Sequence, residues 1–389
     1  MPIGQRGRIS CSAQGQAVEL SRRVIEGLRH HGLPCHIGTD RESLPRMAID
    51  IAIFTDLEAA AADAGVALDR SQQSRLFDRI DWYRLLAAHC SLPGTPMILR
   101  ARDGEGAAWL FLTRQSRRAQ AFANWYSLET GPITHGISKR ALVAALARHL
   151  LRVEKLATIK LAPLAEEKAR LTMMAFREAG WIARLDPVTI NWSIAIPGSD
   201  WTTYFAGRPR RLQNTLKRKL KHEFSIDISN VFHDDKWDFY EHIYEASWKP
   251  EEASPAFLRA LARVEGKAGH LRLGLAFDGP APVAAQFWLV ENDQATILKL
   301  AHVEARRGRS PGTVLTAAMF RHVIERDKVR RIDFGTGDDA YKADWMDQQR
   351  PLFQLSLHNP GTVTGLLGAA RERLSAARAA VRRSAREQT

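Results

Sequence analysis

Residues able to do chemistry are concentrated in one stretch, DFGTGDDAYKADW, from Asp333 to Trp345. It places two carboxylates (Asp338, Asp339), a phenol (Tyr341) and an amine (Lys342) just after Ile332-Asp333-Phe334, which reads as a short buried strand. The carboxyl ends of strands are where open α/β sheets bind ligands. No packing requirement explains so many ionisable groups beside an apolar strand, so the stretch reads as a site. Asp333-Phe334-Gly335 also spells a kinase magnesium motif. The chain has neither a Val-Ala-Ile-Lys strand nor a His-Arg-Asp loop, which excludes that reading.

The elements that must position this stretch occur twice. A hairpin pattern at residues 97–102 and 107–113, turning at Asp103-Gly104, returns at 271–277 and 283–290, turning at Asp278-Gly279. Apolar strands follow at 119–126 and 295–302, then Pro-containing loops (Gly131-Pro132; Ser310-Pro311-Gly312). Helices are predicted at 141–153 and 313–326, sharing Arg148-His149 and Arg321-His322, and each leads to a strand, 158–161 or 331–334. Asp103 and Asp278 are 175 residues apart and Arg148 and Arg321 are 173 apart, a near-constant offset that marks an internal repeat. Helical spacing of Leu76, Ile80, Tyr83 and Ala87 predicts a helix over 71–89, with counterparts at 235–248 and 255–268. Closing strands are expected at 188–196 and 352–357. A mixed α/β architecture with helices on both sheet faces is the natural packing.

Between the halves, Leu212, Leu216 and Leu220 form one apolar stripe on a basic helix over 204–223, with Pro209 suited to its first turn. A second basic helix closes the chain, with Leu367, Ala370, Leu374, Ala377 and Val381 at spacings of three and four, placed to pack on its own domain or on another subunit. The expected organisation is a leader, 1–45, with little pattern and read as mobile; a first domain, 46–200; a basic connector, 201–224; a second domain, 225–360; and a C-terminal basic helix, 361–389.

A length of 389 residues implies two domains, and 45% apolar with 25% charged residues is an ordinary soluble composition. Cys11, Cys35 and Cys90 form no CxxC pair, and the thirteen histidines show no HExxH spacing. Neither a disulfide frame nor a metal site is expected, which fits a reducing compartment. No apolar run approaches membrane-spanning length, and residues 1–10 carry two arginines without an apolar core behind them, so a cytoplasmic location is expected. The net charge is +13, and residues 208–222 and 361–389 supply eleven of those charges. The excess therefore sits on two helices and not on a generally basic surface.

Three motifs carry a resemblance. Arg309 to Leu315 (RSPGTVL) resembles a Ser-Pro-Gly loop entering a helix, Gly337 to Trp345 (GDDAYKADW) a Gly-Asp-x-x-Tyr-Lys-x-x-Trp signature, and Tyr244 to Lys249 (YEASWK) a Ser-Trp-Lys segment. With the element order, they resemble the GNAT acyltransferase superfamily in its FemAB-like/CelD-like branch. Gly131-Pro132 is similar to the Gly-Pro of Fem-type peptidyltransferases. The resemblance spans residues 70–360. It implies two tandem GNAT-like domains, each a mixed, mostly antiparallel sheet flanked by helices, and N-acyl transfer from acetyl-CoA or another acyl-CoA without a metal, in polysaccharide or cell-envelope metabolism.

Such transfer requires the donor diphosphate to be held, the amine deprotonated, the carbonyl polarised and the thiolate protonated. Amides at a helix start can hold a diphosphate; Pro311 has none, so Gly312, Thr313 and Val314 are the expected donors, helped by Ser310 and by Arg307 or Arg309. Arg309-x-x-Gly312-x-Val314 departs from the superfamily pattern at its last position, where Gly or Ala is usual. The resemblance implies Tyr341 as proton donor to the thiolate. Lys342 would stabilise oxyanion charge or hold an acidic substrate, Asp338 would orient either, and His302 and Glu304 are general-base candidates. Trp248, Lys249, Trp345, Trp125 and Tyr126 are expected to line the acceptor cleft. No comparable signature follows the first-half strand (Lys160-Leu161-Ala162-Pro163), so the first domain reads as a degenerate copy.

Two other readings compete. A Fem-like enzyme would take aminoacyl groups from tRNA, using the basic helix at 208–222, although that helix lacks interleaved aromatics. A non-catalytic protein would dock polyanions or an anionic membrane surface through both basic helices, but would not need the charged strand-end cluster. Sugar amines, amino acids and peptide amines all remain open as acceptors.

Overall fold

The structure, a computed structural model, describes residues 48–387 except 105, 199 and 220–223, with side chains described to residue 378. The expected leader at 1–45 lies outside the described residues.

The first lobe runs β1 (Asp50–Phe54), α1 (Leu57–Ala64), α2 (Ile80–His89), β2 (Thr95–Arg102), β3 (Ala107–Gln115), β4 (Arg118–Ala121), β5 (Ile133–His135), α3 (Lys139–Arg152), β6 (Thr158–Ala165), α4 (Glu166–Glu178) and β7 (Ile182–Ala195). After α5 (Trp201–Ala206) and α6 (Arg210–Lys219), the second lobe runs β8 (Phe224–Ser229), α7 (Asp234–Glu245), α8 (Pro255–Lys267), β9 (Leu271–Asp278), β10 (Ala281–Glu291), β11 (Gln294–His302), α9 (Pro311–Glu325), β12 (Arg331–Thr336) and β13 (Gln348–His358). The last element is α10 (Val363–Glu387).

Alternation along the strands feeds separate cores on the two sheet faces. On β3, Ala107, Trp109 and Phe111 enter a core shared by both lobes, while Ala108, Leu110 and Leu112 enter one beneath α3 and α4. On β10, Ala285, Phe287 and Leu289 join the shared core, whereas Ala284 and Trp288 pack under α9, joined by Val283 at the bulge between Pro282 and Ala284 that interrupts the alternation. Period-two side-chain geometry requires this division. The shared core joins Trp82 and Tyr126 of the first lobe to Phe257 of α8, with ring centroids 5.3 and 4.7 Å apart.

All strands belong to one sheet, ordered β1-β2-β3-β4-β6-β13-β7-β12-β11-β10-β9-β8, with β5 beside β3. The closing strands are exchanged. β6 of the first lobe pairs with β13 of the second, β12 of the second pairs with β7 of the first, and β13 and β7 pair antiparallel from Gln348↔Ser193 to His358↔Ile182. Each lobe's sheet is therefore completed by the other lobe's last strand. A buried ion cluster adds a further tie: Arg79, 1% exposed, pairs with Glu291 at 2.5 Å, and Arg70 reaches Glu265 at 2.6 Å and Glu291 at 3.0 Å.

Several boundaries differ from expectation. The strand expected over 119–126 ends at Ala121, because residues 122–127 turn over the shared core. The helix expected over 71–89 starts at Ile80 after a 3₁₀ turn, Leu76–Asp78. The basic connector is two helices, divided where Gly207 and Pro209 interrupt the ladder. α4 was unanticipated. The C-terminal helix has Leu367 and Leu374 more than 60% exposed, so those two stripe residues do not pack into the chain's own core.

Candidate active site

β11 and β12 run parallel but pair only at Gln294↔Arg331, Ala295↔Ile332 and Thr296↔Asp333. Beyond Thr296, β11 follows β10 to His302 while β12 bulges toward β7 between Asp333 and Thr336. The Asp333 carboxylate pins the bulge, accepting from Asn191 Nδ2 and from the Gly335 amide, both at 2.8 Å. Gly335 supplies the φ of +69° that the bulge needs. The parted strands open a cleft of about 210 Å³. Its second-lobe walls include Ile297 to Leu300 on β11, Phe334 to Thr336 on β12, and Asp339, Tyr341 and Lys342 beyond; the first lobe contributes Trp82, Trp125, Tyr126 and Leu128.

Tyr341 stands edge-on to Phe334, ring centroids 5.6 Å apart. Its ring is 41% exposed on one side, but its hydroxyl is desolvated, and burial with the Asp339 carboxylate holds it well above the usual phenol pKa. It stays protonated at neutral pH. Lys342 is 4% exposed and fully engaged, its Nζ donating to the Thr336 carbonyl at 2.6 Å and lying 3.2 Å from Asp339. That amine fixes the turn after β12. Asp338 is exposed and does not line the cleft; its neighbour Asp339 does.

Lys249 also faces the cleft, beside the rings of Trp248 (5.7 Å) and Tyr244 (5.9 Å). Burial first, then the Lys299 charge, brings its pKa down to about 8. Lys299 pairs with Glu252 at 2.5 Å, and Glu252 also accepts the Tyr126 hydroxyl, tying the two lobes across the cleft. Sequence reasoning missed Lys299 and Glu252, and gave Asp338, not Asp339, the orienting role. A lysine inside the apolar run Ile297-Leu298-Lys299-Leu300 was the available signal for the first; Glu252, in a polar loop, gave none.

A second group gathers at the start of α9. The His302 ring lies tilted with its centroid 4.3 Å from that of Trp248, its Nε2 is 3.9 Å from Glu304, and its Nδ1 would lie 3.2 Å from a Cβ at Gly312. Burial lowers its pKa, so the imidazole is neutral at pH 7. His302 and Glu304 adjoin the helix start and are not cleft-lining residues.

Of the expected diphosphate donors, the Thr313 and Val314 amides already donate to the Ser310 carbonyl at 3.1 and 3.2 Å. The Gly312 amide has no acceptor among the described residues. Ser310 adopts a left-handed conformation (φ 57°) and does not cap the helix with its side chain. Arg309 is committed to Asp278 and lies over the Phe224 ring, whereas Arg307 is 78% exposed, near Glu304 at 3.4 Å. Trp345, expected in the acceptor cleft, is 4% exposed in the second-lobe core, its ring tilted 4.9 Å from that of Phe320. Its bulk is needed beneath the turn, where its carbonyl accepts from Tyr204 and Arg208.

Among the described residues of the first lobe, the equivalent strand end is occupied. β4 and β6 pair over three residues in the same way, but the Thr130 amide and hydroxyl donate to the Pro163 carbonyl at 2.7 and 3.0 Å, closing the space beside β6. Gly131 has a φ of +109°, which favours glycine, and a Cβ there would also lie 2.5 Å from the end of the Leu164 side chain. Among the described residues there is no cluster able to hold a metal ion and no helix long and apolar enough to cross a membrane.

Residues 209–343 match the family model described as acetyltransferase (GNAT) domain. In structure the chain is similar to FemX (TM-score 0.54, 10% identity, covering 79% of this chain and 96% of that one). It is also similar to a conserved protein of unknown function from Bacteroides thetaiotaomicron VPI-5482 (TM-score 0.50, 13% identity, 79% and 100%). A third likeness is to a tandem GNAT protein from the clavulanic acid biosynthesis pathway (TM-score 0.46, 14% identity, 80% and 99%). No curated protein matches in sequence. The fold is α/β, with two tandem GNAT-like domains, each a mixed, mostly antiparallel sheet flanked by helices.

Proposed function

We propose that this chain is an acyl-CoA-dependent N-acyltransferase whose second lobe does the chemistry, the first lobe being a degenerate copy that shapes the acceptor side. The observation that carries this reading is the parting of β11 and β12 into a cleft with a protonated phenol in its wall. The donor's fit is supported by the Gly312 amide at the start of α9, which has no protein acceptor, and by β11 amides beyond Thr296 that have lost their β12 partner.

Acyl-CoA would supply a thioester carbonyl, to which the acceptor nitrogen bonds as the carbon–sulfur bond breaks, the amine losing a proton and the thiolate gaining one. Tyr341 hydrogen-bonds the developing thiolate. Its raised pKa makes it a weak acid toward a sulfur whose thiol titrates at about 8.5, so stabilisation through a hydrogen bond is its principal role. Lys249, at about 8, is better matched for moving the proton. Its neutral form takes one from the acceptor ammonium and returns it to the sulfur. Lys342 positions the turn that carries Tyr341. Neutral His302 and Glu304 serve the donor side, where Arg307 is free to reach a phosphate.

A titration of acetyl-CoA into the protein, followed by thiol release with a panel of amines, tests the reading; no binding and no thiol release would refute it. Aminoacyl-tRNA as donor is the second reading, supported by the likeness to FemX and by the outward Arg210, Lys217 and Arg218 of α6. It is weakened because Arg211 and Lys219 are spent on Asp344 (2.8 Å) and the Gly308 carbonyl (2.5 Å). Total tRNA in the same titration separates the two.

A further inference from the structure

The last helix, α10, is seated on the sheet through its small residues. A Cβ at Gly365 would overlap the Asn359 carbonyl oxygen, and one at Gly368 would lie 2.7 Å from His358 Nδ1. Ala369 is buried on the same side, and the Glu372 carboxylate lies 3.0 Å from His358 Nε2 while its backbone carbonyl accepts from Arg184 at 2.6 Å. This close approach fixes which way the helix faces. Leu367 and Leu374, two turns apart on the opposite side, are exposed, as is Val363 one turn earlier.

Beside that stripe runs a groove of about 1100 Å³ between α10 and strands β3, β4, β6 and β13. Leu367, Ala370 and Leu374 line it together with Arg118 and Lys160 from the sheet and Arg371 and Arg378 from the helix. All four cations are exposed, and none has a carboxylate partner among the described residues. Glu372 is the one acid in the lining, and it faces His358. Ser356 and His358 of the lining lie at the far end of β13 from Gln348, which registers with Ser193 beside the β12 bulge. The groove is therefore apart from the cleft that holds Tyr341.

Exposed leucines among unpaired cations require a partner that is apolar and anionic at once. A second copy of the helix would cover the leucines but set Arg371, Arg373 and Arg378 against their own kind, since Glu372 is the only carboxylate between residues 361 and 378. A nucleic acid would meet the charges and leave the leucines in water. We propose that α10 and the adjoining sheet face dock the protein on an anionic phospholipid bilayer. The leucine stripe enters the headgroup boundary and the four cations contact lipid phosphates. The helix lies on the surface, being too polar to cross it, and the sequence adds Arg382, Arg383 and Arg386 along its length. This docking surface stands independently of the acyltransferase reading.

The test is co-sedimentation of the full chain with vesicles of equal parts phosphatidylglycerol and phosphatidylcholine, beside vesicles of phosphatidylcholine alone, at near-physiological salt. The protein partitions onto the mixed vesicles and not onto the neutral ones. Arg371→Gln with Arg378→Gln weakens partitioning about twentyfold, each charge contributing about fivefold. Leu367→Gln with Leu374→Gln weakens it about tenfold. Both pairs keep the melting temperature, because all four side chains are exposed. No partitioning, equal partitioning onto both vesicles, or partitioning indifferent to the leucine pair overturns the proposal; the last result would mark a groove for soluble polyanions. Light scattering adds a further check: a dimer that the leucine pair dissociates shows the stripe covered by a second copy, and also overturns it.

Discussion

Replacing Lys249 by Met tests the electrostatics of the cleft directly. The amine is partly buried between Trp248 and Tyr244, near Lys299 and Lys342, and its pKa falls from 10.5 to about 8. Holding the charged form there costs at most about 3 kcal/mol, at 1.36 kcal/mol for each pH unit. Solvent at the cleft mouth screens it, so about 1–2 kcal/mol is expected. The sign follows from proton uptake. Below pH 8 both folded and unfolded chains carry the proton and the full cost is present. Between pH 8 and 10.5 the unfolded chain binds more protons, so wild-type stability rises with pH and the cost disappears. Urea denaturation of wild type and Lys249→Met at pH 7 and pH 10.5 reads the difference, because titrating groups remote from Lys249 cancel in the comparison. The variant should gain about 1–2 kcal/mol on wild type at pH 7 relative to pH 10.5. An offset that stays constant across that range would refute an amine depressed by burial and by Lys299.

Four further outcomes are expected. Tyr341→Phe should lower kcat with the Kd for acetyl-CoA little changed, as thiol-release kinetics and calorimetry would show; unchanged turnover removes the phenol from the reaction. Gly312→Asp should abolish donor binding, because even a Cβ there meets His302 at 3.2 Å and the carboxylate adds charge where phosphate is expected; retained affinity refutes the helix-start assignment. Glu291→Gln should cost about 3 kcal/mol in chemical denaturation by leaving Arg79 charged, buried and poorly paired. Deleting the chain from residue 348 onward should unfold the first lobe as well as the second, read by loss of protease resistance across residues 48–195, because β6 and β7 both lose β13.

Local pattern revealed the two hairpins, the helices α3 and α9 and the end of β12 beside which the cleft opens, because each is written in nearby residues. The apolar runs of β3 and β10 with their Asp-Gly turns, and the Pro-Gly start of α9, are signals of that kind. The exchange of β7 and β13 was illegible: Leu352 to Leu357 is equally apolar whichever strand lies beside it, and register between distant strands is set by the whole sheet. α4 was missed although Ala169, Thr172, Ala175 and Phe176 form its inward face at helical spacing, because only Phe176 among them is large and apolar. At the site, Tyr341, Lys249, Trp125 and Tyr126 line one cleft. Trp345 does not, since an aromatic two residues past a charged turn looks the same in sequence whether it faces ligand or core. Glu252 became visible only through its contacts with Lys299 and Tyr126, partners 47 and 126 positions away.

Interlacing of the last strands has a mechanical consequence. Halves that each hold a ribbon belonging to the other cannot rock about a hinge without tearing hydrogen bonds along eleven registered positions between β7 and β13. Admission and release of ligands must then be managed by short pieces at the rim, the 3₁₀ turns Glu304–Arg309 and Ala340–Asp344 and the 246–254 connection. Turnover in this chain should accordingly respond to stiffening those three segments and be indifferent to cross-links placed between the halves elsewhere.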